Sequence, residues 1–116
     1  MSTQALVNIT MPVFNRLAET VATVTSFKKH VRGPYVLTVV DNKSQDDVRA
    51  FLCQAARDGL IDNLFLLDNN YGISCAVNTG WTLVPAQYHM KMDNDIESIG
   101  ENWLDGVMQR WQHVPQ

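Results

Sequence analysis

Four short apolar runs alternate along the chain with stretches whose apolar residues recur every three or four positions. Leu6 to Met11 is the first run, ended by Pro12, and reads as a buried strand. Leu17, Val21, Val24, Phe27 and Val31 then follow at helical spacing, and Gly33-Pro34 stops that helix. Tyr35 to Val40 is a second run, rich in β-branched residues and suited to a strand covered on both faces. Asp41-Asn42-Lys43-Ser44 turns the chain. Ser44 and Asp47 resemble a helix-capping pair, and Val48, Phe51, Leu52 and Ala55 form the stripe of the helix they would start. Asn63 to Leu67 is a third strand, Asp68 to Gly72 a turn, and Ile73 to Val84 a helix interrupted by Gly80. After Pro85, Tyr88 to Met92 makes a fourth strand, and a last helix runs from about Ile99 to Trp111.

This alternation predicts an α/β domain with a parallel sheet and right-handed crossovers. The expected spatial order is third, second, first, fourth strand. The order reverses beside the first strand, so a crevice opens there at the carboxyl ends, with Pro12 and Asp93 facing each other across it. No repeat, linker or low-complexity segment breaks the pattern, and residues 1–116 read as one domain.

Composition narrows the function. A hydrophobic share of 46% is enough to fill a core, which excludes a disordered chain. Nine basic residues against twelve acidic give a formal charge of −3, the wrong sign for gripping a nucleic-acid backbone. The tightest basic group, Lys28, Lys29 and Arg32, reads as a solvated helix end. Apolar runs such as Leu64 to Leu67 fall far short of the ~20 residues a membrane span needs. Met1-Ser2-Thr3-Gln4 lacks the basic start of a signal peptide. These features lead us to expect a cytoplasmic protein, including one working at the cytosolic face of a membrane. Cys53 and Cys75 carry no metal or disulfide spacing and are expected to be reduced, buried and unlinked.

Three polar clusters follow the strands. In Lys91-Met92-Asp93-Asn94-Asp95-Ile96-Glu97, two carboxylates one residue apart offer the hard oxygen donors that Mg²⁺ or Mn²⁺ takes together with phosphate oxygens. A solvated acidic turn is the plain alternative. Asp41 stands where the second strand opens into its turn. There it can accept hydrogen bonds from a nucleobase edge, or serve as an Asx-turn residue for the next helix. In Asp68-Asn69-Asn70-Tyr71-Gly72-Ile73-Ser74, Gly72 permits close backbone approach. Small residues at 72, 76 and 80 share one helical face, suited to a ligand or to tight packing on the sheet.

Taken in order, Pro12-Val13-Phe14-Asn15-Arg16, Val39-Val40-Asp41-Asn42-Lys43-Ser44, Asn69-Asn70-Tyr71-Gly72 with Ala76, Asn78 and Gly80-Trp81, and Asp93-Asn94-Asp95 resemble family 2 glycosyltransferases across residues 6–105. The resemblance implies a GT-A fold whose Rossmann-like first half binds a nucleotide-diphosphate sugar of the UDP or GDP type. It implies that Pro12, Val13, Phe14 and Asn15 line the nucleoside pocket and that Asp41 contacts the base. The segment from Asn69 through Tyr71 and Gly72 to Asn78 would close over the nucleoside. Asp93 would lie by the ribose and the metal, Asn94 would belong to the substrate site, and Asp93 and Asp95 would hold Mn²⁺ or Mg²⁺, Asp95 directly.

Members of the family also carry an acceptor site for a sugar or glycan and a carboxylate base that takes the acceptor's proton. Glu97 and Glu101 stand too close to the metal triplet to match that base, so no catalytic base is assigned, and the chain is expected to be the donor-binding part of a longer enzyme. On that expectation the fourth strand's edge and an apolar face at Trp103, Leu104, Val107 and Trp111 would be left open and favour a homo-oligomer. A non-catalytic nucleotide-binding or interaction module is the competing reading. Other nucleotide folds fail on motif, since no Gly-x-Gly-x-x-Gly follows the first strand and no Gly-Lys-Ser/Thr follows any strand.

Overall fold

The computed structural model describes residues 5–95. Four parallel strands, β1 (Ala5–Val13), β2 (Tyr35–Asp41), β3 (Asn63–Leu66) and β4 (Ala86–Lys91), form one sheet in the order β3-β2-β1-β4. Three helices connect them: α1 (Leu17–His30), α2 (Asp46–Arg57) and α3 (Ile73–Leu83). Both the class and the strand order are as expected. The expected last helix, with its Trp103–Trp111 face, lies outside the described residues.

Alternation along β1 sorts its side chains between two unlike layers. Val7, Ile9, Met11 and Val13 join Leu37 and Val39 of β2 in the main core, against Val24 and Phe27 of α1 and Val48, Leu52 and Ala55 of α2. Phe27 meets Tyr35 edge to face, with ring centroids 5.0 Å apart. The other parity carries Asn8, Thr10 and Thr38, all fully buried beneath α3. Buried polar groups need partners, and these have them. Thr38 Oγ1 donates to Asn8 Oδ1 at 2.6 Å, and Asn8 Nδ2 donates to the Gly80 carbonyl at 3.1 Å and lies 3.1 Å from His89 Nδ1.

Several local expectations change. β1 does not stop before Pro12 but runs through it to Val13 along β2, pairing Pro12 with Val40 and Val13 with Asp41. Pro12 has no N–H to extend a ladder. The β1–β4 pairing therefore ends at Thr10–Lys91, with the Met92 N–H donating to the Thr10 carbonyl as its last bond. The two strands part at that point.

Ser44 and Asp47 do not form the expected cap. Gln45 is the N-cap residue of α2 and makes no side-chain cap bond, because the Ser44 hydroxyl is engaged by the neighbouring loop. Gly80 does not interrupt α3, which runs through it. A Cβ at this position would lie 2.5 Å from both Thr10 Oγ1 and Thr10 Cγ2, so the glycine is where helix and sheet touch. Of the small residues on that face, Ala76 and Gly80 pack inward, so tight packing explains them.

The thiols also differ from expectation. Cys53 is half-buried and Cys75 exposed, since the inward stripe of α3 is Ala76, Val77 and Gly80. β4 lies at the sheet's edge among the described residues, as its place in the expected order requires, and Tyr88 is 41% accessible.

Candidate functional site

At the carboxyl ends of the strands, polar side chains tie one loop to the next. Leaving β1, the chain takes left-handed backbone at Asn15 (φ 58°) and Arg16 (φ 63°). Asparagine tolerates that region and arginine does so less readily, so the turn carries strain of ~1–3 kcal/mol that its surroundings must offset. Asn15 supplies part of the offset. Its N–H donates to Ser44 Oγ at 2.7 Å and its Oδ1 accepts from the Gln45 N–H at 2.8 Å, fastening the β1–α1 turn to the β2–α2 turn.

Asn42, 2% exposed, performs the same task for the next loop. Its Oδ1 accepts from the Tyr71 N–H at 3.3 Å and its Nδ2 donates to the Gly72 carbonyl at 3.2 Å. Gly72 (φ 91°) then starts α3 from a conformation that side chains disfavour.

Asp41 is the most constrained residue of the group. Its carboxylate is fully buried, and Oδ2 accepts from Arg49 Nε at 2.7 Å and from the Ser44 N–H at 3.0 Å. The Ser44 bond reaches one residue further than an Asx-turn but does the same local work that competed with a ligand role, and it uses one oxygen only. Oδ1 is buried with no hydrogen-bond partner among the described residues. Arg49 also donates through Nη2 to the Leu67 carbonyl and so spans the ends of β2 and β3.

Across the gap where β1 and β4 separate lies the acidic triplet. Asn94 is docked on α1, its carbonyl accepting from Thr23 Oγ1 at 2.9 Å and its Nδ2 donating to Thr20 Oγ1 at 3.0 Å. The flanking carboxylates are looser. Asp93, with 58% of its side chain accessible, meets Lys91 Nζ at 3.0 Å, and Asp95, 50% accessible, lies 4.0 Å from Arg16 Nη1. Exposed pairs of this kind contribute about 0–1 kcal/mol, so both carboxylates can exchange their partners cheaply.

The remaining expected site residues fall into two groups. Pro12 and Val13 are buried members of β1, whereas Phe14 (47% accessible) begins the exposed turn. Asn69 is exposed and accepts the Asn70 N–H. The Tyr71 hydroxyl donates to Asp68 Oδ1 at 2.7 Å, and this bond, with the carboxylate's charge, raises the phenol's pKa above 10.0. Tyr71 and Asn78 border an open groove of about 690 Å³ along α3. Asn78 also reaches a smaller recess of about 350 Å³ shared with Lys91. The structure thus gathers Asn15 and Asp41 into one linked cluster with the Tyr71–Gly72 backbone. Asp93, Asn94 and Asp95 stand beyond the end of β1, and Asn78 lies on a helix flank.

The sequence pattern does not place Arg49, Thr20 or Thr23 in the site, and it makes Ser44 a helix cap, not the partner of Asn15 that it is. Arg49 left a trace: a cation in a helix's first turns opposes the dipole and calls for an anionic partner. The two threonines left none, since their role depends on where Asn94 lands.

A model of the family described as glycosyl transferase family 2 matches residues 8–115. Among solved structures, the mannosyltransferase PcManGT from Pyrobaculum calidifontis, in complex with GDP-Man and Mn²⁺, superposes with a TM-score of 0.79 at 18% identity, over 98% of this chain and 34% of that one. S. aureus TarS superposes with a TM-score of 0.76 at 16% identity, over 93% of this chain and 20% of that one. A TarS 1-349 structure in complex with UDP gives 0.75 at 16% identity, over 90% and 31%. The chain spans between a fifth and a third of the length of these structures, and at such identities the likeness is one of fold. No curated protein matches significantly.

Proposed function

The chain belongs to glycosyl transferase family 2, and from that premise we propose that residues 1–116 form the donor-binding half of a sugar-transferring enzyme. The donor is a nucleotide-diphosphate sugar of the UDP or GDP type, and the acceptor is a hydroxyl of a sugar or glycan. The observation that carries this reading is the placement of two unlike polar groups at one end of one sheet. Asp41 closes β2, Asp93 to Asp95 leave β4, and the end of β1 lies between them.

The base enters on the Asp41 side, where Oδ1 is an acceptor without a donor among the described residues. That atom is covered, so the nucleobase reaches it as the side chains over it part. Phe14 and Asn15 border the nucleoside on one side and the Asn69 to Gly72 loop on the other, with Asn78 further along α3.

Asp93 and Asp95 fit a divalent cation by donor type and by their loose pairing. No group of three or more His, Cys, Asp or Glu side chains converges among the described residues. Mn²⁺ or Mg²⁺ held by one or two carboxylates and completed by phosphate oxygens suits such a set. When bound, the ion offsets charge on the departing diphosphate. Asn94, anchored on Thr20 and Thr23, keeps the two carboxylates at the mouth of the crevice.

Calorimetric titration of UDP and GDP into the purified chain, with and without Mn²⁺, tests the proposal. Metal-dependent binding of one of them is expected. Absence of binding to either, with the cation present, would contradict it. A sugar-transfer assay on the same sample separates a donor-binding part from a complete catalyst.

A further inference from the structure

The candidate base contact depends on a residue outside the proposed ligand-contacting set. A carboxylate offers two oxygens, and a free one rotates to suit any donor. Asp41 cannot rotate. Arg49 Nε and the Ser44 N–H both bind Oδ2, and the same guanidinium is tied to the Leu67 carbonyl. The side chain of Arg49 is 22% accessible and that of Asp41 fully buried, so the pair is largely withdrawn from water. What remains is one oxygen, Oδ1, fixed in direction and without a partner among the described residues.

We infer that Arg49 is a positioning residue that sets base selectivity by holding Asp41 with Oδ1 alone on offer. The inference rests on the nucleotide reading above. A carboxylate oxygen only accepts hydrogen bonds. A base whose ring nitrogen carries a proton, as in uracil or guanine, satisfies it. In the same pose cytosine presents a lone pair at that ring nitrogen, and it meets Oδ1 only by shifting to offer its exocyclic amino group, so a fixed Oδ1 disfavours it. Arg49 has the geometry for this and lysine does not, because the planar fork reaches Asp41 and Leu67 together while an ammonium is a single point.

The test uses the 116-residue chain with Mn²⁺ present and UDP, GDP, CDP and inorganic pyrophosphate as probes. The wild type is expected to bind UDP or GDP in preference to CDP. Arg49→Met should weaken the preferred nucleotide about tenfold and narrow the margin over CDP by a similar factor, the size expected for one charge-assisted contact. Its affinity for pyrophosphate should not change. In an Asp41→Asn background, where the carboxylate is already lost, Arg49→Met should add less than about twofold, because the two residues act as one unit. Arg49→Lys, which keeps the charge and disturbs the fold least, should lose most of the margin too, and it serves as the variant of record if Arg49→Met does not fold.

An undiminished margin over CDP in the folded Arg49 variants overturns the inference and leaves the nucleotide reading standing. So does an equal loss for nucleotide and pyrophosphate, which marks a structural role. Failure of the wild type to bind UDP or GDP overturns both.

Discussion

Replacing Gly80 by alanine probes the contact that seats α3 on the sheet and, through Gly72, aims the loop that Asn42 holds. The added Cβ would come within 2.5 Å of Thr10 Oγ1 and Cγ2 and 3.1 Å of its Cβ. Thr10 is fully buried in a central strand, and its branched side chain has few rotamers into which to retreat. Overpacking of this kind costs ~1–3 kcal/mol. Alanine returns ~1 kcal/mol through helix propensity. Two close contacts with a stiff partner favour the upper part of the first range, so the net effect is a loss of about 1–2 kcal/mol. Urea titration should show a lower midpoint with an unchanged slope. Thr10→Ala removes the two nearest atoms and leaves only the Cβ at 3.1 Å, so in that background Gly80→Ala should cost clearly less. A Gly80→Ala protein as stable as the wild type would refute the close seating of α3, and an equal loss in both backgrounds would refute Thr10 as its cause.

Asn42→Ala removes both bonds to the Tyr71–Gly72 backbone and should cost about 1–3 kcal/mol; the Tyr71 amide should then exchange faster, and unchanged exchange would mean the loop is held elsewhere. Asp68→Asn should lower the midpoint of Tyr71 ionisation toward 10.0, since the Asp68 bond and charge are what raise it. The sign follows from linkage: a folded-state value above the unfolded one gives stability that is full below about 10 and lost as the pH rises through the folded value. Phenolate absorbance, with Tyr71→Phe to assign the signal, checks this, and an unmoved midpoint would refute it. A thiol reagent should modify exposed Cys75 well before half-buried Cys53 in the folded protein; equal rates would contradict the orientation of α3.

Much of the fold was legible because the patterns that encode it are local. The parallel α/β class followed from alternation and the crossover rule, and the core stripe of α2 appears as its spacing required, in Val48, Leu52 and Ala55. Misreadings arose where a residue's partner is distant in sequence. Gly80 looks like a helix breaker until Thr10, seventy positions earlier, turns out to lie against it. Ser44 looks like a cap until Asn15 claims its hydroxyl. The polar second face of β1 was hidden in the same way, since an apolar run gives no sign that Asn8 and Thr10 lie buried and satisfied beneath a helix. For the site, motif order picked out Asp41 and the acidic triplet. The brace that leaves one Asp41 oxygen without a partner depends on Arg49 reaching across from another element, which no spacing rule anticipates.

The central claim, that Asp93 and Asp95 join a nucleotide's phosphates around a divalent cation, is tested most directly by electron paramagnetic resonance of Mn²⁺. The chain alone should take up little of the ion, since two exposed carboxylates are a weak site. Chain and UDP or GDP together should suppress the free-ion signal more than the nucleotide does by itself, and Asp95→Ala should abolish that extra suppression. A signal that the chain leaves unchanged beyond the nucleotide's own effect, or an Asp95→Ala protein indistinguishable from wild type, would contradict the claim.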